Sequence, residues 1–364
     1  MSNPLTSPRR HASQLASLAG VVARASRAHR ASPIAVLRLA RVARAGHGFE
    51  YEEALATGLL DPAGGAPALH AHASKHATLE AQRRINPETL AFLTEEKAFF
   101  HPYLEAAGVP APRLLGVIGA GTGWGHDGRV VAGPGAFAAW IPDLPAEFVV
   151  KPSAGYHGMG VMVVVRDGAG LRVLGRGAAD ARALHREMTS DPRFPLWVVQ
   201  ERIRNASSIE ALGSAEAVQT ARICTLVRRD GSVDVLHANL RLAAPGALID
   251  NYRGGTTGNS FTTIDDEGRL GPAWSRRPDG AGFISSPTLP GSGRRIEGAR
   301  LPDWDEALAV VRRAAPHFLP VRTIGWDVAF TDDGPMVIEA NMWWDPPPIP
   351  GVGDAVRALL DSAA

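Results

Sequence analysis

Cysteine is almost missing from this chain of 364 residues: Cys224 stands alone. No internal disulfide can form, and a cysteine-built zinc site is excluded. Lysine is nearly as scarce. Only Lys75, Lys97 and Lys151 occur among 38 basic residues, the others being arginine. A chain that uses arginine by default keeps lysine where a compact ammonium is wanted, and phosphate contact is one such place. An ordinary surface position is the alternative, above all for Lys75. No apolar run approaches the roughly 20 residues of a membrane span, and a cytoplasmic location is expected. A net charge of +1 gives no sign of a nucleic-acid partner. Acidic residues are missing from one region: residues 1–49 hold eight arginines and no Asp or Glu, which leaves the remainder acidic.

In that basic region Leu15, Leu18, Val21 and Val22 follow helical spacing, as do Val36, Leu37, Leu39 and Val42, with a break at Ser32-Pro33. Arg24 and Arg27 cut the apolar stretch too short for a signal peptide. Two basic amphipathic helices packed on the body are expected. Weak contact with an anionic membrane is the other use such an arm has. Residues 50–85 read as a mostly helical connector with a loop at 61–67. A helix is expected to start at Asn86-Pro87, carry Lys97 and stop at Gly108.

Two stretches carry chemistry. Residues 325–341, GWDVAFTDDGPMVIEAN, read as two strands joined at Asp332-Asp333-Gly334, with glycine where a positive φ is needed. Folding it back sets Asp327 opposite Glu339, and alternation puts Glu339 and Asn341 on one face. Two carboxylates and an amide oxygen suit Mg²⁺. A plain hairpin with a wet acidic face has the same pattern, but Glu339 follows an apolar run and precedes Trp343-Trp344, which argues for burial and a partner. Earlier, residues 148–152 form a short apolar strand ending at Lys151, then a glycine-rich turn through Gly158 and Gly160, then a second strand. No Walker sequence is present. Backbone N–H groups of such a turn can still fold over a triphosphate, although a plain turn is the commoner case. His157 reads as a loop residue. Arg222 lies between apolar strand neighbours and needs an anion, from a carboxylate or a phosphate.

The motifs EEKAFF with GVPAP, FVVKPSAGYHGMGV, VVQERI, QTARICTL, NYRGGTTGN and GWDVAF with VIEAN occur in this order. With them the chain resembles the ATP-grasp superfamily of carboxylate–amine ligases. Within it, the chain is similar to the sugar-transfer-associated and α-L-glutamate-ligase-like proteins. The likeness runs from about residue 50 onward. It implies an α+β (α/β) fold of two lobes clasping ATP, here with a helical extension: residues 1–85 the extension, 86–200 the first lobe, 201–364 the second. It implies ATP and Mg²⁺ as cofactors, with Mn²⁺ an acceptable substitute, and small carboxylate and amine substrates. Lys97 and Lys151 would contact the α- and β-phosphates, and Gly158 and Gly160 would cover the triphosphate. Gln200, Glu201 and Ile203 would line the adenine slot. Asp327, Glu339 and Asn341 would hold the metal. Arg222 and Arg241 would face the γ-phosphate and acyl-phosphate oxygens, and Asn251, Arg253, Gly254 and Gly255 would border the substrate. Several relatives carry an Arg two residues before the metal Asp; here that position is Gly325, and Arg222 takes the role. No acid follows Glu201 at the short distance usual for a ribose contact, and Glu210 stands in for it. The implied reaction makes an amide through an acyl phosphate, in surface polysaccharide or peptide modification. A small-molecule kinase and a nucleotide-binding module without chemistry are the alternatives. No nucleophilic Ser, Cys or His and no general base stand out in the chain.

Overall fold

Residues 325–341 fold as the expected hairpin, and the hairpin forms one edge of a seven-stranded antiparallel sheet. The structure, a computed structural model, describes residues 8–155, 158–168 and 170–363. Among these, one sheet contains β1 (Leu114–Gly119), β2 (Gly123–Gly125), β3 (Glu147–Pro152), β4 (Met162–Asp167), β5 (Gly170–Val173), β6 (Gly177–Ala179) and β7 (Leu196–Glu201). Its order is β2-β1-β7-β3-β4-β5-β6. The other contains β8 (Thr220–Val227), β9 (Val233–Leu242), β10 (Ser260–Thr263), β11 (Ala273–Arg276), β12 (Phe283–Ser286), β13 (Thr323–Thr331) and β14 (Gly334–Asn341). Its order is β12-β11-β10-β9-β8-β13-β14.

Alternation along each strand decides the layers. In β3, Phe148 and Val150 point into a core shared with the helices Gly133–Trp140 and Ala181–Ser190, while Val149 and Lys151 line the opposite side. In β8 and β13, Ala221, Ile223, Trp326 and Val328 pack under the helix Trp304–Ala314. The alternate residues Arg222, Cys224, Gly325 and Asp327 therefore share the other face. Half of that face is covered. The helices Lys75–Arg83 and Val352–Ala363 lie over Cys224 and Leu226, with Trp344 between.

The basic N-terminal region forms two helices, Pro8–His29 and Pro33–His47, broken at Ser32 as the proline requires. Val21, Ala25, Val36, Ala40 and Ala43 are buried, together with Phe49, Leu55, Leu69 and Ala281. The side chain of Leu15 falls outside the described part. The expected loop at 61–67 is shorter, because a helix already begins within it (Gly65–Ala71). No described helix is long and apolar enough to cross a membrane.

Candidate active site

The helix expected from residue 86 onward is broken at Glu96, and the break plants Lys97. Glu96 is extended (φ −93, ψ 97) and pairs with Ala154 as an isolated β-bridge. Its carboxylate accepts from Ser153 Oγ at 2.7 Å, and the Lys97 N–H donates to the Ser153 carbonyl at 3.1 Å. Lys97 begins a new helix, Lys97–Ala106, fastened to the segment that follows Lys151. Its Nζ lies 3.4 Å from Glu339 Oε1 and 3.4 Å from the Gly155 carbonyl. Lys151 is equally buried, 6% exposed. Burial lowers its pKa to about 8, against the pull of Glu339 and with a push from Lys97.

Strand register assembles the other half. Glu339 pairs with Asp327, Asp327 with Arg222, and Arg222 with Asn239, a row across four strands. Arg222 donates from Nε to Asp327 Oδ1 at 2.5 Å and from Nη2 to Oδ2 at 3.1 Å; Arg241 Nη1 reaches Oδ2 at 3.0 Å. Burial pushes the Asp327 pKa up, but the two guanidinium groups outweigh it and hold the carboxyl below its usual range. For Glu339, burial is likewise outweighed by Lys97 and Lys151. Gly325 explains how Arg222 fits. A Cβ there would stand 3.1 Å from Arg222 Cδ and 2.8 Å from Trp344 Cβ. The Arg222 chain passes over the space that a side chain at 325 would fill.

Lys151, Arg222, Asn239, Arg241, Asp327 and Glu339 line a cleft of about 1370 Å³ between the two sheets, with Lys97 reaching it through Glu339. Gln200, Glu201 and Ile203 line it, but the Gln200 amide is already engaged, donating to the Pro112 carbonyl at 3.0 Å and lying 3.0 Å from His101 Nε2. Glu201 accepts from the Arg113 N–H at 2.7 Å. Gly158 (φ +68) lines the cleft, with Ile249 3.1 Å from where its Cβ would be. Gly160 (φ +71) is packed against Pro152 and Trp197. His157 lies outside the described residues. Asn251 and Gly254 reach the cleft, and Gly255 holds Arg276 tightly: a Cβ there would be 2.5 Å from that of Arg276. Arg253 begins the short helical turn Arg253–Gly255, and its side chain is outside the described part. Glu210 belongs to the short helix Ser207–Glu210 and does not line the cleft; Glu216 does, 3.7 Å from Arg202.

Three features escaped the sequence reading. Asp250 stands in the cleft wall with Oδ2 accepting from the Thr220 N–H (3.0 Å) and hydroxyl (2.6 Å). Asn239 lines the cleft with its Oδ1 buried and without a partner. The connector also builds wall: Glu53, His72 and Lys75 close the far end, where Lys75 bridges to Asp345 at 2.8 Å. No spacing could have announced Asp250 or Lys75, since each depends on a partner elsewhere in the chain.

Four cations (Lys97, Lys151, Arg222, Arg241) face two carboxylates here, a surplus of positive charge suited to a polyphosphate carrying a divalent cation. The metal donors fit in kind. Glu339 keeps oxygen capacity beyond its contact with Lys97, and Asn341 lines the cleft, where its amide oxygen is the atom that could bind a hard cation. Asp327 is the most committed of the three, with both oxygens bound by arginine. Among the described residues no group of three His, Cys, Asp or Glu stands ready for a metal, so any ion here relies on the amide and on oxygens of its ligand.

The model of the sugar-transfer associated ATP-grasp family matches residues 77–349, and the chain belongs to that family. No curated protein matches it. Among solved structures it is similar to the D-cycloserine synthetase DcsG, at 19% identity over 77% of this chain and 74% of that one, with a TM-score of 0.42. A RimK domain ATP-grasp protein from Sphaerobacter thermophilus gives 16% over 75% and 68%, TM-score 0.40. The D-alanyl-alanine synthetase A of Vibrio cholerae gives 11% over 74% and 66%, TM-score 0.43.

Proposed function

We propose that this protein is an ATP-dependent carboxylate–amine ligase working through an acyl phosphate. The observation that carries the reading is the buried cluster in which Lys97 and Lys151 meet Glu339 while Arg222 and Arg241 grip Asp327. In this reading residues 86–200 and 201–364 are the lobes that hold ATP, and residues 1–85 are an extension whose second half completes the cleft. Lys97 and Lys151 neutralise the phosphates under the turn of Gly158 and Gly160, and residues 200–203 flank the base. Asp327, Glu339 and Asn341 would hold Mg²⁺ or Mn²⁺, which supplies charge neutralisation at the phosphoryl oxygens. A carboxylate substrate, already ionised at pH 7, attacks the γ-phosphate without a base. Arg222 and Arg241 stabilise charge on the transferring group, and residues 251–255 border the acid. An amine then displaces phosphate. The family's link to sugar transfer makes acids and amines of surface polysaccharides or peptides the substrates to try first, and dependence on ATP puts the reaction in the cytoplasm.

A second reading, phosphorylation of a hydroxyl, gains from Asp250, because a hydroxyl needs the base that Asp250 could be. Trapping separates the two. Purified protein given ATP, Mg²⁺, hydroxylamine and a panel of amino acids and sugar acids should release ADP and form a hydroxamate with one of the acids. Glu339→Gln should keep the fold and cut this turnover by about 10² or more. ADP release with accumulation of a stable phosphate ester and no hydroxamate establishes the kinase instead.

A further inference from the structure

Two side chains in the cleft wall offer acceptor atoms that the phosphate machinery leaves unused. Asp250 takes both of its hydrogen bonds, from the Thr220 N–H and hydroxyl, on Oδ2. That pins the carboxylate by one oxygen and leaves Oδ1 outside both bonds, on a residue that lines the cleft. Asn239 is 6% exposed, and its Oδ1 has no partner. A buried acceptor left unmade is costly, and in a cleft wall it marks a contact that a ligand completes. The two residues flank one place. Asn239 pairs with Arg222 across β8 and β9, while Thr220, which holds Asp250, is two residues before Arg222 on the same face. Arg241, on the face of β9 that carries Asn239, grips Asp327. A fixed carboxylate and a free carbonyl oxygen thus stand beside the arginines assigned to the acyl phosphate. An ammonium group has three donors and no acceptor, and acceptors are what it needs.

We infer that Asp250 and Asn239 form the seat of the amine substrate, with Asp250 as the base that frees its lone pair. The inference rests on the ligase reading. The Asp250 carboxylate takes one proton from the ammonium. The nitrogen then forms the C–N bond at the acyl carbon, the carbon–oxygen bond to phosphate breaks, and phosphate leaves with that electron pair. The second proton goes to the departing phosphate, so amide, protonated Asp250 and hydrogen phosphate balance the charges. Burial raises the Asp250 pKa, with Arg241 and the Thr220 donors pulling the other way and Asp327 adding to the rise, which makes it a readier proton acceptor than a solvated carboxylate.

Hydroxylamine tests this, because it is uncharged at mildly alkaline pH and needs no base. The full chain is assayed with ATP, Mg²⁺ and the acid panel, using either hydroxylamine or the amino acids as nucleophile. Asp250→Asn should keep hydroxamate formation within about threefold and lose amide formation by about 10². Asn239→Leu, which leaves the Thr220 contact alone and carries the test should the first variant fail to fold, should raise the KM of the amine about tenfold and leave that of the acid unchanged. The inference is overturned if the variants that fold keep normal amide formation and amine KM, or lose hydroxamate and amide in equal proportion. No hydroxamate from the wild-type protein with any acid breaks the ligase reading itself, and this inference with it.

Discussion

One face of the sheet that contains β8, β9, β13 and β14 is used in two opposite ways along its length. Towards one end Cys224, Leu226 and Thr323 lie under Trp344 and two helices, and burial drives the Cys224 thiol up to about 12. Two residues further along the same strands, Arg222 and Asp327 face an open cleft. The same strands run through both, with a bulge at each end of the stretch: after Cys224 in the pairing of β8 with β9, and after Asp327 in that of β13 with β14. What differs is the cover: where helices press on the face the strands carry apolar and small residues, and where they stop the strands carry charge. The site exists because the roof ends there, and Gly325 marks the border, touching Trp344 on one side and Arg222 on the other.

Three substitutions should pull the halves apart. Trp344→Ala acts on the roofed half and should have the largest effect. It removes a fully buried ring whose Nε1 donates to Thr323 Oγ1 at 3.0 Å, and should cost about 3–5 kcal/mol in denaturant unfolding. Equal loss of activity without loss of stability would mean that the roof serves chemistry rather than folding. Gly325→Ala comes next. The added methyl must displace Trp344 or Arg222, at a cost of about 1–3 kcal/mol, and turnover should fall more than stability does if the Arg222 chain is what yields. An unchanged turnover would show that the border is loose.

The smallest effect belongs to the open half. Lys151 has a depressed pKa of about 8, so its ammonium is present below that pH and lost above it. Affinity for a non-hydrolysable ATP analogue should therefore weaken as pH rises through about 8, by at most tenfold per pH unit for one proton. Lys151→Arg should flatten this dependence, since a guanidinium stays charged throughout. A wild-type affinity that is level across the range would place the phosphate charge elsewhere.

The hairpin was legible because its logic is local. Alternation and an Asp-Asp-Gly turn fix which residues oppose, and Asp327 does pair with Glu339. A bulge follows Asp327, yet it leaves Glu339 and Asn341 on the same face, since both precede it in the pairing. Arg222 was legible by misfit, as a charge among apolar strand neighbours that asks for an anion, and its partner is Asp327. The break at Glu96 was not legible. The residues on either side of Glu96 favour helix, and what interrupts them there is a bridge to Ala154, far along the chain. Asp250 and Asn239 are single polar residues in an unremarkable loop and strand, and only the cross-strand row gives them meaning. The connector looked like a spacer because its contribution to the cleft comes from where Lys75 meets Asp345.

The helix Val352–Ala363 bears on how the molecule is made. It rests on the strands through Val356 and Leu359, and Gly353 approaches the early segment so closely that a Cβ would lie 2.4 Å from the His70 carbonyl oxygen. During synthesis the helix Lys75–Arg83 comes first, but Cys224 and Leu226 must wait for the rest of their cover, from Trp344, Val356 and Leu359, more than a hundred positions later. Contacts of such long sequence separation form slowly, and apolar strands left bare meanwhile invite association between nascent chains. The period of greatest hazard for this protein therefore falls late in translation, when both sheets can already pair and the last part of the cover over one of them has yet to emerge.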